Sequence, residues 1–275
     1  MKNSIITFIG GGNMARSLIG GLVETGLSTE NLRIADPNPE PLASQFPVRR
    51  YLDNFAAMDG ADVIVLAVKP QILPEVAKSF ASTLSAPFPL FISIAAGIRV
   101  ANLARWLGIH QPIPIVRVMP NMPALVKSSA SALFAGQHVT ADQRELAERI
   151  LRAVGLTLWL EDENLMDAVT ALSGSGPAYF FFIMEILEKT GVSLGLSQEM
   201  ARLLTLQTAF GAAKMALESH EDAATLRAHV TSKGGTTEQA ISVLQNGGLQ
   251  DLFDKALQAA QQRSLSLAKQ FGDKS

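Results

Sequence analysis

The feature that most constrains the fold of this chain is a glycine-rich turn directly after its first apolar segment. Residues 4–9 are apolar and rich in β-branched side chains, which predicts a short buried strand. Residues 10–15 then read GGGNMA, and Met14, Leu18 and Leu22 continue at helical spacing. In G-x-G-x-x-A between a strand and a helix, the first glycine makes the turn, the second admits a pyrophosphate and the alanine allows close packing. The sequence therefore predicts a dinucleotide site at the start of this helix.

The second predicted strand, 31–35, is followed by an acidic residue. Asp36 lies about twenty residues beyond the glycines, where a carboxylate binds the adenosine ribose hydroxyls and favours NAD by repelling a 2′-phosphate. The alternative is that Asp36 only begins the turn DPNP at 36–39. Asn38 could then hydrogen-bond a phosphate, so these residues leave the choice of coenzyme open.

Further apolar segments repeat the alternation of strand and helix. Strands are predicted at 62–68, 89–94 and 113–118, and each ends in small, glycine or proline residues. This alternation predicts an α/β fold with a parallel, doubly wound sheet, in which ligands lie beyond the carboxyl ends of the strands. Lys69 follows one of these strands, so it is either a solvated loop lysine or a neighbour of the cofactor's sugar or phosphate.

One more helix and one more strand complete this half of the chain. Thr140 and Gln143 form a capping box for a helix that runs through Ala153, and Gly155 is expected to end it. Residues 157–160 are the last predicted strand.

The second half of the sequence lacks strand signals and is predicted to be helical. The domains that follow from this change are 1–161, which binds the dinucleotide, and 162–275. Helices are predicted at 163–172, 178–190, 198–218, 222–228, 236–245 and 249–270. The segment 200–217 is apolar on nearly all sides, which is typical of a helix buried all round. A helical half of this size cannot bury it alone, so we expect an intertwined homodimer, with larger assemblies also open.

Two glycine-containing segments in the helical half are candidates for binding a substrate. Residues 230–244 read VTSKGGTTEQAISVL, a glycine turn that opens into a helix. Amide N–H groups at such a helix start, with the threonine hydroxyls, suit a small carboxylate, whereas the alternative is a plain capped helix with Thr236 as N-cap. Residues 173–177 read SGSGP. Through Ser173 they form either a second polar wall of the substrate pocket or a flexible connector.

Composition excludes several other classes of function. The chain has 275 residues, a net charge of −2 and no cysteine, which excludes disulfides, thiolate chemistry and cysteine-bound metals. Scattered basic residues argue against nucleic acid and anionic membranes as partners. No serine sits in a nucleophile elbow, no apolar run is long enough to span a bilayer, and the histidines, His110, His138, His220 and His229, lack metal-ligand spacing. We expect a cytoplasmic protein that holds no metal.

Six segments, taken in order, resemble one protein family. They are the G-x-G-N-M-A start, AVKP at 67–70, SIAAG at 93–97, RVMPN-x-PA at 117–124, SGSGPAY at 173–179 and VTSKGGTTEQA at 230–240. Together they are similar to the pyrroline-5-carboxylate reductases, which make L-proline, and the match is colinear over essentially the whole chain. The resemblance implies a Rossmann-like N-terminal domain, an all-helical C-terminal dimerisation domain, and reduction of a cyclic imine by NADPH or NADH.

The resemblance also implies roles for individual residues. Cofactor contacts are expected at the phosphates from Gly10, Gly12, Asn13, Met14 and Ala15, at the adenosine ribose from Asp36 and Asn38, and along the remaining groove from Asn54, Ala67, Val68, Lys69, Ala96 and Gly97. The substrate carboxylate is expected in a cradle formed by Ser232, Gly234, Gly235, Thr236 and Thr237. Thr237 matches the hydroxyl placed against the ring nitrogen, which it orients.

Three residues depart from the family's pattern. Met122 stands where threonine is frequent, Lys233 where proline is common, and Asp36 where NADPH users have a small hydroxyl residue. The acidic residue leaves the coenzyme preference open.

Two other functions share parts of this plan. A β-hydroxyacid dehydrogenase has similar domains but uses a lysine followed one turn later by asparagine, whereas Lys214 is followed by Glu218 here. A dinucleotide-sensing regulatory protein would bind the cofactor without turnover, and the intact cradle at 234–237 argues against it. The sequence therefore favours the reductase.

Overall fold

The computed structural model describes residues 4–38, 46–108 and 111–272. Pro39 and His110, two residues named above, lie outside the described residues. Contacts divide the described chain into two compact units. The first unit runs to Ser175 and resumes at Ala259, and the second unit is Gly176–Gln258.

The first unit is built on one mixed sheet. Its described strands are β1 (Ile6–Ile9), β2 (Leu32–Ala35), β3 (Arg49–Tyr51), β4 (Val63–Leu66), β5 (Leu90–Ser93), β6 (Ile115–Met119), β7 (Ser129–Ala135) and β8 (Gly155–Leu160). They lie in the order β3-β2-β1-β4-β5-β6-β7-β8, and every neighbouring pair is parallel except β6 and β7, which are antiparallel. The predicted strands are confirmed with ends that move by one or two residues. The predicted parallel pairing is confirmed for the predicted strands from β1 to β6, and β7, which the sequence did not predict, pairs antiparallel to β6.

Helices cover both faces of this sheet. In the first unit they are α1 (Asn13–Glu24), α2 (Asn54–Met58), α3 (Leu73–Ser79), α4 (Val100–Trp106), α5 (Ala141–Arg152) and α6 (Met166–Val169), with a π-helical turn at Thr170–Gly174 and 3₁₀ turns at Thr29–Asn31, Phe80–Ser82, Met122–Val126 and Glu163–Leu165. Neighbouring side chains of β1 enter different cores: Phe8 lies in one with Leu18 of α1, and Ile9 lies in the other with Leu73 of α3. This arrangement confirms the doubly wound α/β fold, because side chains alternate between the faces of a strand.

The two strands that the sequence did not predict have weak strand signals. β3 is a three-residue edge strand with two arginines, and its burial pattern is that of a surface segment. β7 reads SASALFA, and serine and alanine are poor indicators of a strand. The chain enters β7 through Lys127, whose left-handed φ of 57° ends the preceding 3₁₀ turn and helps reverse the chain direction.

Gly155 has a different role from the predicted one. The capping box at Thr140 and Gln143 is present, but α5 ends at Arg152, before Gly155. Gly155 instead begins β8 with a φ of +147°, and a Cβ there would overlap the backbone of Ser129 on β7. Close approach of two strands, rather than the end of a helix, therefore requires this glycine.

The boundary between the compact units lies later than the predicted one after residue 161. The Ser173 hydroxyl donates to the Ala130 carbonyl oxygen at 3.2 Å, and the buried Asp167 carboxylate accepts from the Ser264 hydroxyl at 2.6 Å. These bonds attach the segment after β8, and the end of the last helix, to the first unit. Neither bond leaves a local signal in the sequence, which is why the predicted limits differ from the compact units.

The described secondary structure of the second unit is helical. It consists of α7 (Gly176–Ser193), α8 (Gln198–Glu218), α9 (Ala223–His229), α10 (Thr236–Asn246) and the first part of α11 (Leu249–Gly272), which continues into the first unit. Both predicted ends of α8 are confirmed. Its large apolar side chains are exposed in the single chain, with Leu203 at 55% and Phe210 at 62%. An apolar surface of this kind marks an interface with another protein.

Candidate functional site

The glycine loop between β1 and α1 has the form of a phosphate cradle. Gly10 has a φ of +100°, and a Cβ there would lie 2.8 Å from the Ala67 carbonyl oxygen, so only glycine fits. Gly12 is the extended N-cap of α1, and nothing lies within 4 Å of the position of its Cβ. Ala15 is fully buried, as close packing of the helix on the sheet requires. The first turn of α1 therefore begins beside open space, where its N–H groups fit a phosphate.

Asp36 is hydrogen-bonded to this loop. Its Oδ2 accepts the Gly11 N–H at 2.6 Å, and its Oδ1 accepts the Asn38 N–H at 2.8 Å. The second bond is the turn that the sequence offered as an alternative role for Asp36. The first bond places the carboxylate beside the glycine loop, so the two interpretations of Asp36 are compatible.

The other predicted cofactor residues lie at the same edge of the sheet. They are Asn54 shortly after β3, Ala67, Val68 and Lys69 after β4, and Ala96 and Gly97 after β5. Because β1, β3, β4 and β5 run in the same direction, the residues that follow them meet at one edge. The Ala67 N–H donates to the Ile9 carbonyl oxygen at 2.8 Å, whereas Lys69 is exposed. The structure thus brings these residues together, and their individual cofactor contacts stay predictions.

The loop after β5 packs against the end of α11. This contact was not predicted from the sequence. A Cβ on Gly97, which has a φ of +75°, would lie 3.4 Å from the Leu267 Cβ. One turn earlier, Ser264 donates to Asp167, and the Arg99 guanidinium lies 3.6 Å from the same carboxylate. The last turns of the chain therefore help to position a loop predicted to contact the cofactor.

Asn121 organises the carboxyl end of β6 through its amide group. Its Oδ1 accepts the Ser129 hydroxyl at 3.1 Å and the Ala130 N–H at 3.0 Å, and its Nδ2 donates to the Ser173 carbonyl oxygen at 3.1 Å. The residue is 9% exposed. No role was predicted for Asn121 itself, although an amide residue inside the segment MPNMP is a signal that could have indicated one.

The segment around Ser173 is an ordered part of the first unit. Ser173 accepts from Asn121 and donates to Ala130, and a Cβ on Gly174 would overlap the Met119 side chain. A flexible connector would lack such contacts. Whether Ser173 also forms a wall of the substrate pocket stays a prediction.

The predicted carboxylate cradle lies at the start of α10 in the second unit. Gly235 is the N-cap and Thr236 is the first residue of the helix, so the alternative role of Thr236 as N-cap is wrong. Gly234 has a φ of +74°, and nothing lies within 4 Å of the position of its Cβ. Its N–H donates to the Glu238 Oε2 at 2.6 Å. The helix start is therefore open on the glycine side, and one of its amides already binds a carboxylate of the same chain.

The remaining residues of the cradle sit around this helix start. Ser232 is exposed, and its carbonyl oxygen accepts the Gly235 N–H at 3.0 Å, which closes the turn. Thr237, in the first turn of α10, is partly buried. The cradle is thus formed by one local segment, whereas the dinucleotide edge collects residues from several strands.

Metal and membrane features are absent from the parts of the chain that the structure covers. Within 4–38, 46–108 and 111–272, no group of three or more His, Asp or Glu side chains could hold a metal ion. None of the helices in those ranges combines the length and the apolar character needed to cross a membrane.

A doubly wound sheet with a glycine cradle, followed by a helical unit, is the architecture of a dinucleotide-binding protein. Residues 163–267 match a family model described as pyrroline-5-carboxylate reductase dimerisation, and residues 5–97 match one described as NADP oxidoreductase, coenzyme F420-dependent. The pyrroline-5-carboxylate reductase of Pseudomonas aeruginosa is 50% identical over 99% of this chain and 100% of its own length. This chain therefore belongs to the pyrroline-5-carboxylate reductase family.

Solved structures agree with this assignment. A pyrroline-5-carboxylate reductase from Coxiella burnetii is 45% identical with a TM-score of 0.91, and the match covers 96% of this chain and 98% of that one. The Plasmodium falciparum pyrroline carboxylate reductase with NADP bound is 29% identical with a TM-score of 0.87, over 98% and 99% of the two chains. The Rossmann-like sheet followed by a helical dimerisation domain is thus confirmed.

The two family models cover different groups of predicted site residues. All the predicted cofactor residues, from Gly10 to Gly97, fall within the segment matched by the oxidoreductase model. Ser173 and the cradle at 232–237 fall within the segment matched by the dimerisation model, which begins close to the predicted domain limit at 162. The predicted cofactor residues and the predicted substrate residues therefore fall in segments matched by different family models.

Proposed function

We propose that this chain reduces 1-pyrroline-5-carboxylate to L-proline by hydride transfer from NADPH or NADH, the last step of proline biosynthesis. The observation that carries the proposal is the 50% identity to a pyrroline-5-carboxylate reductase over 99% of the chain. The aligned region spans the glycine loop, the residues that follow the strands, and the predicted carboxylate cradle.

The cofactor half of the proposal is supported by the fit of the glycine loop to a pyrophosphate. Open space at Gly12, the helix start behind it and the carboxylate of Asp36 beside it match the phosphates and the ribose of a dinucleotide. The nicotinamide supplies the hydride when the dinucleotide is bound, and the protein supplies position and electrostatics.

The substrate half of the proposal is supported by the form of the helix start at α10. Nothing lies within 4 Å of the position of the Gly234 Cβ, next to the N-cap Gly235, and a carboxylate is the group that such a helix start binds best. The Glu238 carboxylate already accepts a hydrogen bond from the Gly234 N–H, so a carboxylate can bind at this helix start. The substrate carboxylate would take its place or bind beside it.

Thr237 is proposed to orient the ring nitrogen. The nitrogen ends as an amine and needs a proton before or during hydride transfer, and a threonine hydroxyl is far too weak an acid to supply it unaided. The hydroxyl therefore holds the nitrogen in place and relays a proton from water, or the imine binds already protonated. Positioning then carries most of the catalysis.

The proposed assembly is a homodimer through the helical unit, with larger assemblies open. Exposed apolar side chains on α8 and the match of 163–267 to a dimerisation family support it. A cytoplasmic location and the absence of nucleic acid and membrane partners stay predictions from the sequence.

The test is oxidation of NADPH and NADH, measured side by side, with the cyclic imine as substrate. Turnover that depends on pyrroline-5-carboxylate, with 3-hydroxy acids inactive, is the expected result. Turnover of 3-hydroxy acids instead would make the protein a β-hydroxyacid dehydrogenase, and nucleotide binding without any turnover would make it a sensor.

A further inference from the structure

Asp36 lies at the point where the two nicotinamide coenzymes differ. We propose that Asp36 makes this protein select NADH over NADPH. The inference deepens the proposed function and rests on its cofactor half. From the sequence alone, Asp36 could either bind the ribose or form a turn. The structure shows where its carboxylate lies.

Backbone amides hold both carboxylate oxygens of Asp36. Oδ2 accepts the Gly11 N–H at 2.6 Å, and Oδ1 accepts the Asn38 N–H at 2.8 Å. Gly11 belongs to the glycine loop itself, and a Cβ at Gly11 would lie only 3.2 Å from Oδ2. Rotating the carboxylate away would leave two N–H donors without this acceptor, so the negative charge stays beside the cradle.

The backbone of Asp36 is also anchored to the sheet. Its N–H donates to the Tyr51 carbonyl oxygen at 3.3 Å, and the register of β2 and β3 places Tyr51 opposite Ala35, the residue before Asp36. The residue is thus tied to the loop before it, the turn after it and the neighbouring strand. A coenzyme that binds here meets a rigid carboxylate.

Within the described residues, the turn that follows β2 does not itself supply the cation that a 2′-phosphate needs. NADP-binding folds place an arginine close to this point, whereas Asp36, Pro37 and Asn38 include no lysine or arginine. Arg49 and Arg50 of β3 pair in register with Arg33 and Ile34, before the carboxyl end of β2. Arg33 precedes Asp36, but its Nη1 donates to the Ala57 carbonyl oxygen at 3.2 Å and also to Asp59. Its guanidinium is therefore engaged at α2.

Asn38 does not restore phosphate binding through its backbone. Its N–H, the donor that the turn would offer to a phosphate, is already bonded to Asp36. The carboxylate can accept hydrogen bonds from both ribose hydroxyls of NADH, because each oxygen keeps a free lone pair. A 2′-phosphate removes one of those donors and adds negative charge beside a fixed anion, so both effects favour NADH.

The first experiment is equilibrium binding of NADH and of NADPH to the wild-type protein without imine, followed by nicotinamide fluorescence. We expect NADH to bind at least tenfold more tightly at low salt, which corresponds to about 1.4 kcal/mol. The gap should narrow as salt is added, because exposed charges are screened. Tighter or equal binding of NADPH would overturn the inference.

The second experiment uses substitutions at Asp36 and a matched control. Asp36→Ser should close or reverse the gap, and Asp36→Asn, which keeps the size and one acceptor but loses the charge, should tighten NADPH binding by tenfold or more. The control is Asp62→Ser, because Asp62 also accepts a backbone N–H, from Ile5 at 2.8 Å, but lies just before β4, away from the carboxyl ends of the strands. The NADH-to-NADPH ratio of the control should equal that of the wild type.

The outcomes separate this inference from the proposed function. Imine-dependent oxidation of NADPH alone would overturn the coenzyme selection and leave the reductase in place. Preferential NADH binding without imine turnover would support the selection and reject the reductase. If the Asp36 variants fail to fold, the wild-type ratio and its salt dependence still decide the matter.

Discussion

At the scale of single residues, Thr237 is the position on which the proposed chemistry depends most. It lies in the first turn of α10, two residues after Gly235, and is partly buried. We expect Thr237→Ala to lower kcat by roughly ten- to a thousandfold, which is less than the roughly hundred- to ten-thousandfold of a full general acid because the hydroxyl orients the nitrogen and only relays a proton. Steady-state kinetics with the cyclic imine measure the effect.

The control for this prediction is Thr237→Ser, which keeps the hydroxyl at the same place and should retain most of kcat. Binding of NADH in the absence of imine should be the same in both variants. A near-normal kcat in Thr237→Ala would remove the residue from the mechanism.

The residues that could be predicted from the sequence are those whose constraint is local. Gly10 and Ala15 follow from a motif of six residues, and the capping box at Thr140 is complete within four. Gly155 was assigned the wrong role because the backbone that excludes a side chain there belongs to Ser129 on a neighbouring strand. Asp36 was left between two roles because only the structure gives the direction of its carboxylate.

At the scale of elements, Asn121 joins the end of β6, the start of β7 and the π-helical turn at 170–174. Asn121→Ala removes all three side-chain bonds and leaves buried donors and acceptors unpaired, which costs about 1–3 kcal/mol each. We expect KM for the imine to rise by about tenfold or more, while NADH binding changes little, because Ser173 loses its anchor.

The matched control for Asn121 is Ser131→Ala. Ser131 is buried in β7, the strand that also holds Ser129, and the two hydroxyl oxygens lie 3.1 Å apart. No described bond joins Ser131 to the π-helical turn. Both variants should be assayed well below their melting temperatures. Equal KM values in the two variants would mean that Asn121 stabilises the fold and does not position the substrate site.

Clear apolar patterns allowed most elements to be predicted. The elements that were missed contain few residues with a strong preference for strand or helix. α8 was predicted to its end residues because its apolar run is long and continuous, and the structure adds that Ser197 caps its start by accepting the Met200 N–H. β7 was not predicted because its serines and alanines have little strand preference of their own, and its position between β6 and β8 holds them in the sheet. Its antiparallel direction depends on a reversal after β6, which no local pattern specified.

At the scale of the whole molecule, the exposed apolar side chains of α8 predict an obligatory partner. We expect Leu203→Glu to weaken the homodimer by more than tenfold, because association would bury an unpaired charge. Sedimentation or light scattering over a range of protein concentrations measures the change.

Leu156→Glu serves as the control, because Leu156 on β8 is about as exposed as Leu203, at 58%, but belongs to the first unit. This variant should remain a dimer. If Leu203→Glu has the mass of the wild type at every concentration, α8 is not the surface through which the copies associate.

The limits of the compact units were the part of the fold least accessible to prediction. A change from alternating strands and helices to helices alone indicates a limit near 162, and the dimerisation family begins at 163. The later limit at 175, and the return of the chain at 259, depend on contacts between residues far apart in sequence, such as Asp167 with Ser264.

The return of α11 has a consequence for dissecting this protein. Phe271 fills part of the core beside α3 and α4, and Ala268 is also buried, so a gene truncated after Ser175 encodes a nucleotide-binding fragment with a gap in its interior. Loss of Phe271 alone removes about 1.5–3 kcal/mol of burial, so this fragment should melt earlier than one to which residues 259–272 are fused through a flexible tether. Calorimetry of the two fragments tests whether residues 259–272 complete the core of the first unit. Equal melting temperatures would contradict this.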